Sequence, residues 1–274
     1  MRTTLVMEDF SALGQISMVA SLSILQTFGI TTAAMPTGLL STQTEVFGEP
    51  AVLVTDSWLY ATMTHWQAQS ISVSAALIGY LGNADLVDTA KQALERFQPA
   101  MTIVDPAMAD QGSLYPGLTE NYVDAIRQLC RQATIITPNL TELGLLSEVN
   151  QGDDDWIMQA VAAIRAKGIQ AQMVISGVQK GDEIGSIVVT NDEQRFITNP
   201  FYPGHFYGTG DTFTPLILGF LQKGDSLIAA VNKATKLMEV AVAQTSQRPA
   251  EDRKYGLALD EMLYQLGREL HRDD

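Results

Sequence analysis

The sequence predicts an α/β fold, a three-layer α/β/α sandwich around a mainly parallel central sheet. Short apolar runs of β type alternate with longer helical patterns, and this alternation is typical of βαβ units with helices on both faces of a sheet. The chain has 274 residues, of which 46% are hydrophobic, enough for a large core. It contains no internal repeat and no Pro/Gly-rich linker, so we expect one domain over residues 1–274.

The first part of the chain is predicted to alternate strictly between strands and helices. Short apolar runs indicate the strands, and the second strand is expected to end at Pro36. The first helix has apolar residues at helical spacing, as at Met18, Leu22 and Leu25, and the third has Asn83 as a candidate N-cap. The predicted strands are 3–7, 30–35, 71–78, 101–104 and 134–136, and the predicted helices are 17–28, 56–69, 83–97, 118–131 and 155–167.

The remainder of the chain predicts a strand, a hairpin and three helices. The hairpin has Asn191-Asp192 near its turn, a pair that favours such a turn. The predicted strands are 172–175, 183–190 and 195–198, and the predicted helices are 212–222, 226–244 and 257–271. Ligands of such sheets bind beyond the carboxyl ends of the strands, so polar residues at strand ends are the candidates for function.

Composition and charge exclude several classes of function. A formal net charge of −14 disfavours binding to nucleic acid, although a single nucleotide can be held by backbone N–H groups and a cation. No apolar run is long enough to cross a bilayer and no signal-peptide pattern is present, so we expect a cytoplasmic protein. The single cysteine, Cys130, is expected to pack in the core, and the three histidines show no metal-ligand spacing.

A glycine-containing turn directly before a helical run is the sharpest local feature. The turn is Gly208-Thr209-Gly210-Asp211. Glycine permits tight turns and close approach of a ligand, and the helix that follows directs its free N–H groups at the turn. The pattern therefore predicts an anion site suited to a phosphoryl group during transfer. Asp211 can either cap the helix or accept the proton of an attacking hydroxyl, and the turn alone leaves both interpretations open.

Further polar residues follow other predicted strands. Asn139 and Glu142 have the spacing of a capping box, and their oxygens also suit the surroundings of Mg²⁺, so both interpretations stay open. Asp105 ends a strand and Asp110 follows it, which suits either a Mg²⁺ site or a surface loop. The glycine-containing segment 109–117 is predicted to be a mobile flap that excludes water.

Two segments near the N-terminus are expected to face the same crevice. Residues 9–14 follow the first predicted strand and residues 41–44 follow the second. Their hydroxyl, amide and carboxylate groups suit a polar heteroaromatic or sugar-like ligand. The same groups are equally suited to capping these loops.

Taken in order along the chain, these segments resemble the pyridoxal kinases of the ribokinase-like superfamily. The similarity runs through most of the chain and is carried by six short motifs that occur in the same order. The motifs are Asp9-Phe10-Ser11-Ala12-Leu13-Gly14, Leu39-Leu40-Ser41-Thr42-Gln43-Thr44, Gly79-Tyr80, Val104-Asp105-Pro106-Ala107-Met108-Ala109-Asp110 with Tyr115, Thr137-Pro138-Asn139-Leu140-Thr141-Glu142, and Gly208-Thr209-Gly210-Asp211.

The resemblance implies ATP-dependent phosphorylation of the 5′-hydroxymethyl group of pyridoxal, pyridoxine or pyridoxamine, with Mg²⁺, in a ribokinase-like sandwich that is usually a homodimer. Asp211 is then the general base, and the amides of Gly208, Thr209 and Gly210 form the anion hole. The remaining implied roles are Mg²⁺ binding by Asp105 and Glu142, ATP contacts by Asp110, Tyr115, Asn139 and Ser176, and substrate contacts by Asp9, Ser11, Thr44 and Tyr80.

The chain departs from the pyridoxal kinase pattern at three positions that bear on the substrate. Gln43 stands where the family often has His, Ala109 where Gly is usual, and Tyr207 where His often precedes the glycine turn. These changes leave the predicted parts for phosphoryl transfer in place. They make the identity of the acceptor less certain than the type of reaction.

Three alternatives to a vitamin B6 kinase stay open. A hydroxymethylpyrimidine kinase of this superfamily typically has Cys where Asp211 stands, and a sugar kinase usually carries a longer β lid than the hairpin predicted at 183–198. A non-catalytic protein that binds a B6 vitamer or a nucleotide would not need the intact Asp211. The presence of Asp211 therefore argues against the first and the third alternatives.

Overall fold

A computed structural model describes residues 3–152 and 155–271, and it confirms the predicted α/β fold. The strands are β1 (Thr3–Ser11), β2 (Thr31–Leu40), β3 (Val52–Val54), β4 (Val73–Ile78), β5 (Met101–Val104), β6 (Ala109–Asp110), β7 (Ser113–Leu114), β8 (Ile135–Ile136), β9 (Gln172–Lys180), β10 (Glu183–Val189) and β11 (Gln194–Pro200). The helices are α1 (Met18–Thr27), α2 (Asp56–Ala68), α3 (Ala84–Phe97), α4 (Glu120–Cys130), α5 (Leu140–Ser147), α6 (Trp156–Ala166), α7 (Thr209–Gln222), α8 (Leu227–Ser246) and α9 (Asp260–Leu270).

Nine strands form one mixed sheet in the order β11-β10-β9-β8-β5-β4-β1-β2-β3. The strands from β9 through to β2 pair in parallel, whereas the pairs at the two edges are antiparallel. Strands β6 and β7 form a separate two-stranded hairpin. The parallel centre places the carboxyl ends of six neighbouring strands along one edge, where a ligand site is expected.

Helices cover both faces of the sheet and give two apolar cores. Successive residues of a strand point to opposite faces, and in β1 Leu5 and Met7 pack in one core while Val6 packs in the other. The first core includes residues from α2 to α6, and the second includes residues from α1 and from α7 to α9. Cys130 is fully buried in the first core, as its helical pattern predicts. The arrangement is the predicted three-layer sandwich.

The first two strands are longer than predicted. Strand β2 does not end at Pro36 but runs to Leu40, because the ladder between β1 and β2 changes register after Glu8, the residue opposite Pro36. A proline, which has no N–H to donate, is tolerated at such an irregularity. Strand β1 likewise continues to Ser11, so Asp9 lies within a strand and not in a following loop.

Short and terminal elements account for the other differences from the prediction. Helix α7 begins at Thr209 rather than at 212, so the glycine turn is itself the first turn of the helix. Strands β3, β6 and β7 have two or three residues each, which is too short to give an alternating pattern. Within the described ranges, no helix is both long and apolar enough to span a bilayer.

Candidate active site

A cavity of about 390 Å³ opens at the carboxyl ends of the parallel strands, a volume suited to a small-molecule ligand. Every residue that the sequence assigned to a site lines this cavity except Ser11, which is fully buried beside it. The assigned residues in its wall are Asp9, Thr44, Tyr80, Asp105, Asp110, Tyr115, Asn139, Glu142, Ser176, Gly208, Thr209, Gly210 and Asp211. The fold therefore brings together residues that lie more than 200 positions apart in the chain.

The glycine turn lies at the cavity wall where α7 begins. Gly208 has φ 77°, a left-handed conformation that favours glycine. Its carbonyl oxygen accepts hydrogen bonds from the backbone N–H and the hydroxyl of Thr212, at 3.1 and 2.9 Å. A Cβ atom on Gly210 would lie 3.1 Å from Oδ2 of Asp105. Because the first N–H groups of a helix have no partner within the helix, this turn offers backbone donors to an anion in the cavity.

Asp211 lies in the first turn of α7. Gly208 occupies the N-cap position and no side chain caps this helix, so the capping interpretation of Asp211 is not observed. One carboxylate oxygen, Oδ2, accepts a 2.8 Å hydrogen bond from the backbone N–H of Ser17.

The surroundings of Asp211 raise its pKa from 3.8 to about 7. Burial is the main cause, the carboxylates of Asp9, Asp105 and Glu45 add to the rise, and the hydrogen bond from Ser17 opposes it. A carboxyl group that titrates near neutral pH is suited to taking a proton from a hydroxyl and releasing it again.

Asp105 lies directly after β5 and beside the glycine turn. Its Oδ1 accepts a 3.3 Å hydrogen bond from the backbone N–H of Ala107, and its Oδ2 accepts one of 3.1 Å from the hydroxyl of Thr214 on α7. Burial raises the pKa of Asp105, and these two hydrogen bonds moderate the rise. A buried carboxylate without a neighbouring cation is costly when ionised, so this position favours the binding of a cation.

Asn139 and Glu142 form the capping box that their spacing predicts. Oδ1 of Asn139 accepts from the backbone N–H of Glu142, and Oε2 of Glu142 accepts from the backbone N–H of Asn139, both at 2.9 Å. Oε1 of Glu142 also accepts from the N–H of Met108 at 3.0 Å. Each carboxylate oxygen of Glu142 is thus already hydrogen-bonded, while burial and nearby Asp105 raise its pKa. The capping interpretation is confirmed, and the carboxylate still faces the cavity.

The predicted flap is the hairpin of β6 and β7. The start of α5 anchors it at two points. Nδ2 of Asn139 donates to the carbonyl of Ala109 at 2.7 Å, and the N–H of Gly112 in the turn donates to the hydroxyl of Thr141 at 3.0 Å. Ala109 is fully buried, so its methyl group, absent from glycine, packs in the core. The hairpin carries Asp110 and leads to Tyr115, and both line the cavity.

The end of the cavity beside β1 and β4 holds the residues assigned to the substrate. Asp9 accepts a 2.9 Å hydrogen bond from the hydroxyl of Ser11, so Ser11 orients Asp9 and does not reach the cavity itself. The rings of Tyr80 and Tyr115 lie 6.2 Å apart between centroids in an edge-on arrangement. Burial raises the pKa of Asp9, and burial together with Asp9 raises the pKa of Tyr80 to about 12. This end offers one carboxyl group and aromatic surface.

Gln43, one of the departures from the pyridoxal kinase pattern, is bonded to the protein. Its Oε1 accepts from the backbone N–H of Glu45 at 2.6 Å, and its Nε2 donates to the carbonyl of Lys254 at 3.4 Å. Gln43 lines the cavity but is largely buried. Its side chain therefore fixes the loop after β2 in addition to lining the cavity.

The cavity is rich in carboxylates. Among the described residues that line it, seven are Asp or Glu and none is Lys or Arg. Over residues 3–152 and 155–271, no group of three or more His, Cys, Asp or Glu side chains is arranged to hold a metal ion by itself. A phosphate-bearing ligand in this cavity would therefore need backbone N–H groups and a cation that it shares with the protein.

The sequence did not reveal one end of the cavity, which β10, β11 and α8 form. Asn199 and Thr235 line it, and Nδ2 of Asn199 donates to the carbonyl of Thr235. The hydroxyl of Thr235 is buried without a partner, while Met238 and Val242 add apolar surface. No short motif marks these residues, because they come from an edge hairpin and a helix that meet only in the fold.

The fold and this site together define a small-molecule kinase. A partly buried carboxylate beside free backbone N–H groups, at the strand ends of a three-layer sandwich, is an arrangement suited to phosphoryl transfer to an alcohol. The chain belongs to the phosphomethylpyrimidine kinase family, whose profile matches residues 18–254, and to the ribokinase-like superfamily. The protein is accordingly an ATP-dependent phosphotransferase, as the sequence predicts.

Known proteins similar to this chain include kinases of two acceptor types. The crystal structure of pyridoxal kinase from Lactobacillus plantarum superposes with a TM-score of 0.90 at 36% identity, covering 99% of this chain and 98% of that one. The pyridoxine/pyridoxal/pyridoxamine kinase of Bordetella avium is 30% identical over 69% of this chain and 67% of its own length. The hydroxymethylpyrimidine/phosphomethylpyrimidine kinase of Helicobacter pylori is 26% identical over 62% of this chain and 65% of its own length. The family is therefore clear, and the acceptor is left open between the two types.

Proposed function

We propose that this protein transfers the γ-phosphoryl group of ATP to the 5′-hydroxymethyl group of pyridoxal, pyridoxine or pyridoxamine. The position of Asp211 carries this proposal, because its carboxylate lines the cavity at the amide-lined turn of α7 and the pKa of this group is about 7. The similarity to a pyridoxal kinase structure over almost the whole chain supports the choice of acceptor.

In the proposed reaction Asp211 accepts the proton of the acceptor hydroxyl as its oxygen attacks the γ-phosphorus. The bond between that phosphorus and the bridging oxygen breaks, and ADP leaves with the bonding electrons. Backbone N–H groups at Gly208 to Gly210 stabilise the charge on the phosphoryl oxygens during transfer. The hydrogen bond from Ser17 to Oδ2 holds the carboxylate in place, which leaves Oδ1 for the hydroxyl.

The residues present fit Mg²⁺, provided that the nucleotide and water complete its coordination. Asp105 is the better ligand, because its hydrogen bonds from Ala107 and Thr214 are longer, at 3.3 and 3.1 Å. Both oxygens of Glu142 accept shorter bonds from backbone N–H groups, at 3.0 and 2.9 Å, so its carboxylate would act through water. Hard oxygen donors with retained water molecules are typical of Mg²⁺ sites at phosphates. When bound, the ion would neutralise charge on the phosphates. No Lys or Arg is among the described residues of the cavity wall to do so.

Two ends of the cavity suit the two substrates. We assign the end with Asn199 and Thr235 to the base of ATP, because it combines apolar surface with a buried hydroxyl that lacks a partner. We assign the end with Asp9 and Tyr80 to the pyridine ring, because it combines a carboxyl group with aromatic surface. The turn bearing Asp211 lies in the wall of the same cavity.

Hydroxymethylpyrimidine is the second candidate acceptor. The similarity to the Helicobacter pylori enzyme favours it, and its ring likewise carries a hydroxymethyl group. Asp211 argues for the B6 vitamers, since hydroxymethylpyrimidine kinases of this superfamily typically have Cys at that position of the turn. Both acceptors present a primary alcohol to the same base, so the type of reaction does not depend on the choice.

The test is a direct comparison of acceptors with purified protein. ADP formation is followed with Mg²⁺-ATP and, in separate reactions, pyridoxal, pyridoxine, pyridoxamine, hydroxymethylpyrimidine and ribose. The proposal expects the highest kcat/KM with a B6 vitamer and the loss of turnover in Asp211→Asn. A higher kcat/KM with hydroxymethylpyrimidine or ribose would overturn the proposed acceptor, and binding of a vitamer without turnover would overturn the proposed activity.

We also propose that the protein is a homodimer and that it is located in the cytoplasm. Strand β3 is a sheet edge whose residues Val52, Leu53 and Val54 are 58%, 62% and 66% exposed, and unpaired apolar edges of this kind favour pairing with a second chain. Light scattering should give twice the chain mass for the native protein and the chain mass for Leu53→Lys. The buried Cys130, which forms no disulfide, supports the location.

A further inference from the structure

His205 joins three loops at the mouth of the cavity. Its Nδ1 lies 2.8 Å from Nε2 of Gln111 at the tip of the flap hairpin. Its Nε2 lies 3.9 Å from Oε2 of Glu45 in the loop after β2. The ring also packs edge-on against Tyr207, with 4.3 Å between ring centroids. His205, Glu45 and Tyr207 all line the cavity, so these contacts lie across its opening.

Both segments that His205 contacts are held independently of it. The loop with Glu45 is fixed by Gln43, whose Oε1 accepts from the backbone N–H of Glu45 at 2.6 Å and whose Nε2 donates to the carbonyl of Lys254 at 3.4 Å. The flap next to Gln111 is fixed by the hydrogen bond from Gly112 to Thr141. Because each side has its own anchor, the contacts of His205 set the distance between the two sides and are not needed to fold either one.

The chemistry of the contacts explains why a histidine is suited to this position. The amide Nε2 of Gln111 is a donor, so Nδ1 of His205 accepts from it and the ring proton lies on Nε2, towards Glu45. Burial raises the pKa of Glu45, and the carboxylate of Asp110 adds to the rise because the two carboxylates repel each other across the opening. An imidazole between the two sides replaces this repulsion with a hydrogen bond on one side and a favourable contact with a carboxylate on the other.

We propose that His205 is a positioning residue that clasps the flap to the loop after β2 and so limits the access of water to the γ-phosphoryl group. This inference rests on the proposed kinase function. Water can attack the same phosphorus in place of the alcohol, giving ADP and inorganic phosphate with release of a proton. Exclusion of water is therefore needed for efficient transfer, and a clasp at the opening of the cavity serves that need.

The coupling of ATP consumption to transfer tests the clasp. Phosphorylated acceptor and inorganic phosphate are measured in one reaction with the native protein, His205→Ala, Gln111→Ala and the double variant. We expect the fraction of ATP that is hydrolysed to rise about three- to tenfold in each single variant, the range expected for the loss of one hydrogen bond. The double variant should equal His205→Ala, because that change alone already removes the contact with Gln111.

Two further variants separate the clasp from a general structural effect. His205→Gln keeps a side chain that can bond to Gln111 and should restore part of the coupling. His65→Ala removes an exposed histidine on α2, remote from the cavity, and should behave as the native protein. Unchanged coupling in His205→Ala, or additive effects in the double variant, would overturn the proposal.

Hydrogen exchange gives a second measurement that does not depend on the acceptor. Peptides covering residues 109–117 are followed with Mg²⁺-ADP bound in the native protein, His205→Ala and His65→Ala. We expect about three- to tenfold faster exchange at the flap in His205→Ala only, by the same loss of one hydrogen bond. If exchange at the flap is the same in all three proteins, the clasp is refuted even when no acceptor turns over. A failure of the proposed function alone leaves this measurement intact.

Discussion

The backbone N–H of Ser17 donates a 2.8 Å hydrogen bond to the carboxylate of Asp211, a residue 194 positions away in the sequence. Ser17 has φ 50°, an uncommon conformation for a residue other than glycine, and it lies at the start of α1, directly before Met18. Strain of this kind persists where the surrounding structure requires it. The start of one helix thus orients the carboxylate that the start of another helix presents.

The first prediction concerns the charge of Asp211. Replacement by Asn keeps the shape of the side chain and removes its ability to accept a proton, so kcat should fall about 10²- to 10⁴-fold, the usual contribution of a general base. Binding of Mg²⁺-ADP, measured by calorimetry, should change much less. Asp192→Asn, in an exposed hairpin turn remote from the cavity, is the matched control. Full activity in Asp211→Asn would exclude its role as the base.

The second prediction concerns the dependence of the rate on pH. The pKa of Asp211 is raised to about 7, and the base acts only when ionised. The value of kcat/KM should therefore rise tenfold per pH unit below pH 7 and level off above it. A profile measured with a B6 vitamer from pH 5 to pH 9 checks this. A rate that is constant from pH 5 to pH 7 would contradict a base with this pKa.

The third prediction concerns the dependence of stability on pH. Burial raises the pKa values of Glu8, Asp105, Glu142 and Asp211, so the folded state binds more protons than the unfolded chain. The free energy of unfolding must then fall as pH rises, in a window that for Asp211 runs from 3.8 to about 7. Without nucleotide or metal, Tm should be lower at pH 8 than at pH 5.5 by about 2–4 °C or more, the shift that about 1 kcal/mol produces.

Scanning calorimetry in EDTA measures this difference, and Asp211→Asn provides its control. The variant lacks one of the four titrating groups, so its Tm should fall less between the two pH values. A native protein that is more stable at pH 8 than at pH 5.5 would show that the carboxyl groups are not held with raised pKa values.

The fourth prediction concerns the metal. Seven carboxylates and no Lys or Arg line the cavity among the described residues, so free ATP should be repelled and Mg²⁺-ATP accepted. Affinity for ATP should fall at least about tenfold in EDTA, the effect of losing about 1.4 kcal/mol of attraction. Adenosine carries no phosphate, and its affinity should not depend on Mg²⁺. Asp105→Asn should reduce the advantage that Mg²⁺ gives, and equal ATP affinity with and without Mg²⁺ would contradict the proposed role of the cation.

Sequence patterns predicted the long elements of this molecule better than the short ones. The parallel strands are short apolar runs between helices with clear periodicity, so the strands and the polar residues at their ends could be inferred. Strand β3 and the hairpin of β6 and β7 are too short to leave a pattern, and Pro36 misled because a change of register accommodates it.

The residues of the candidate site were likewise predicted where a local motif marks them and missed where none does. Residues in motifs, such as Asp211 and Asn139, were predicted because a turn or a capping box has a local signature. The hydroxyl of Thr235 and the contacts of His205 were not predicted, since each depends on segments that meet only in the folded chain. Ser11 was assigned to the substrate, but its hydroxyl bonds to Asp9, because β1 continues through it and buries it.

The last prediction concerns the close approach of the glycine turn to the proposed metal ligand. A Cβ on Gly210 would lie 3.1 Å from Oδ2 of Asp105, which is tighter than an ordinary contact, and Gly210 has no positive φ that would strain an alanine. Gly210→Ala should therefore fold with nearly native Tm while displacing Asp105, so that the KM for Mg²⁺-ATP rises and kcat falls, together by about tenfold or more. Gly267→Ala, on α9 with open space around it, is the matched control and should be fully active. Because a helical alanine is more favourable than glycine, Gly267→Ala should be at least as stable as the native protein. Native kinetics in Gly210→Ala would show that the spacing between this turn and Asp105 does not matter for transfer.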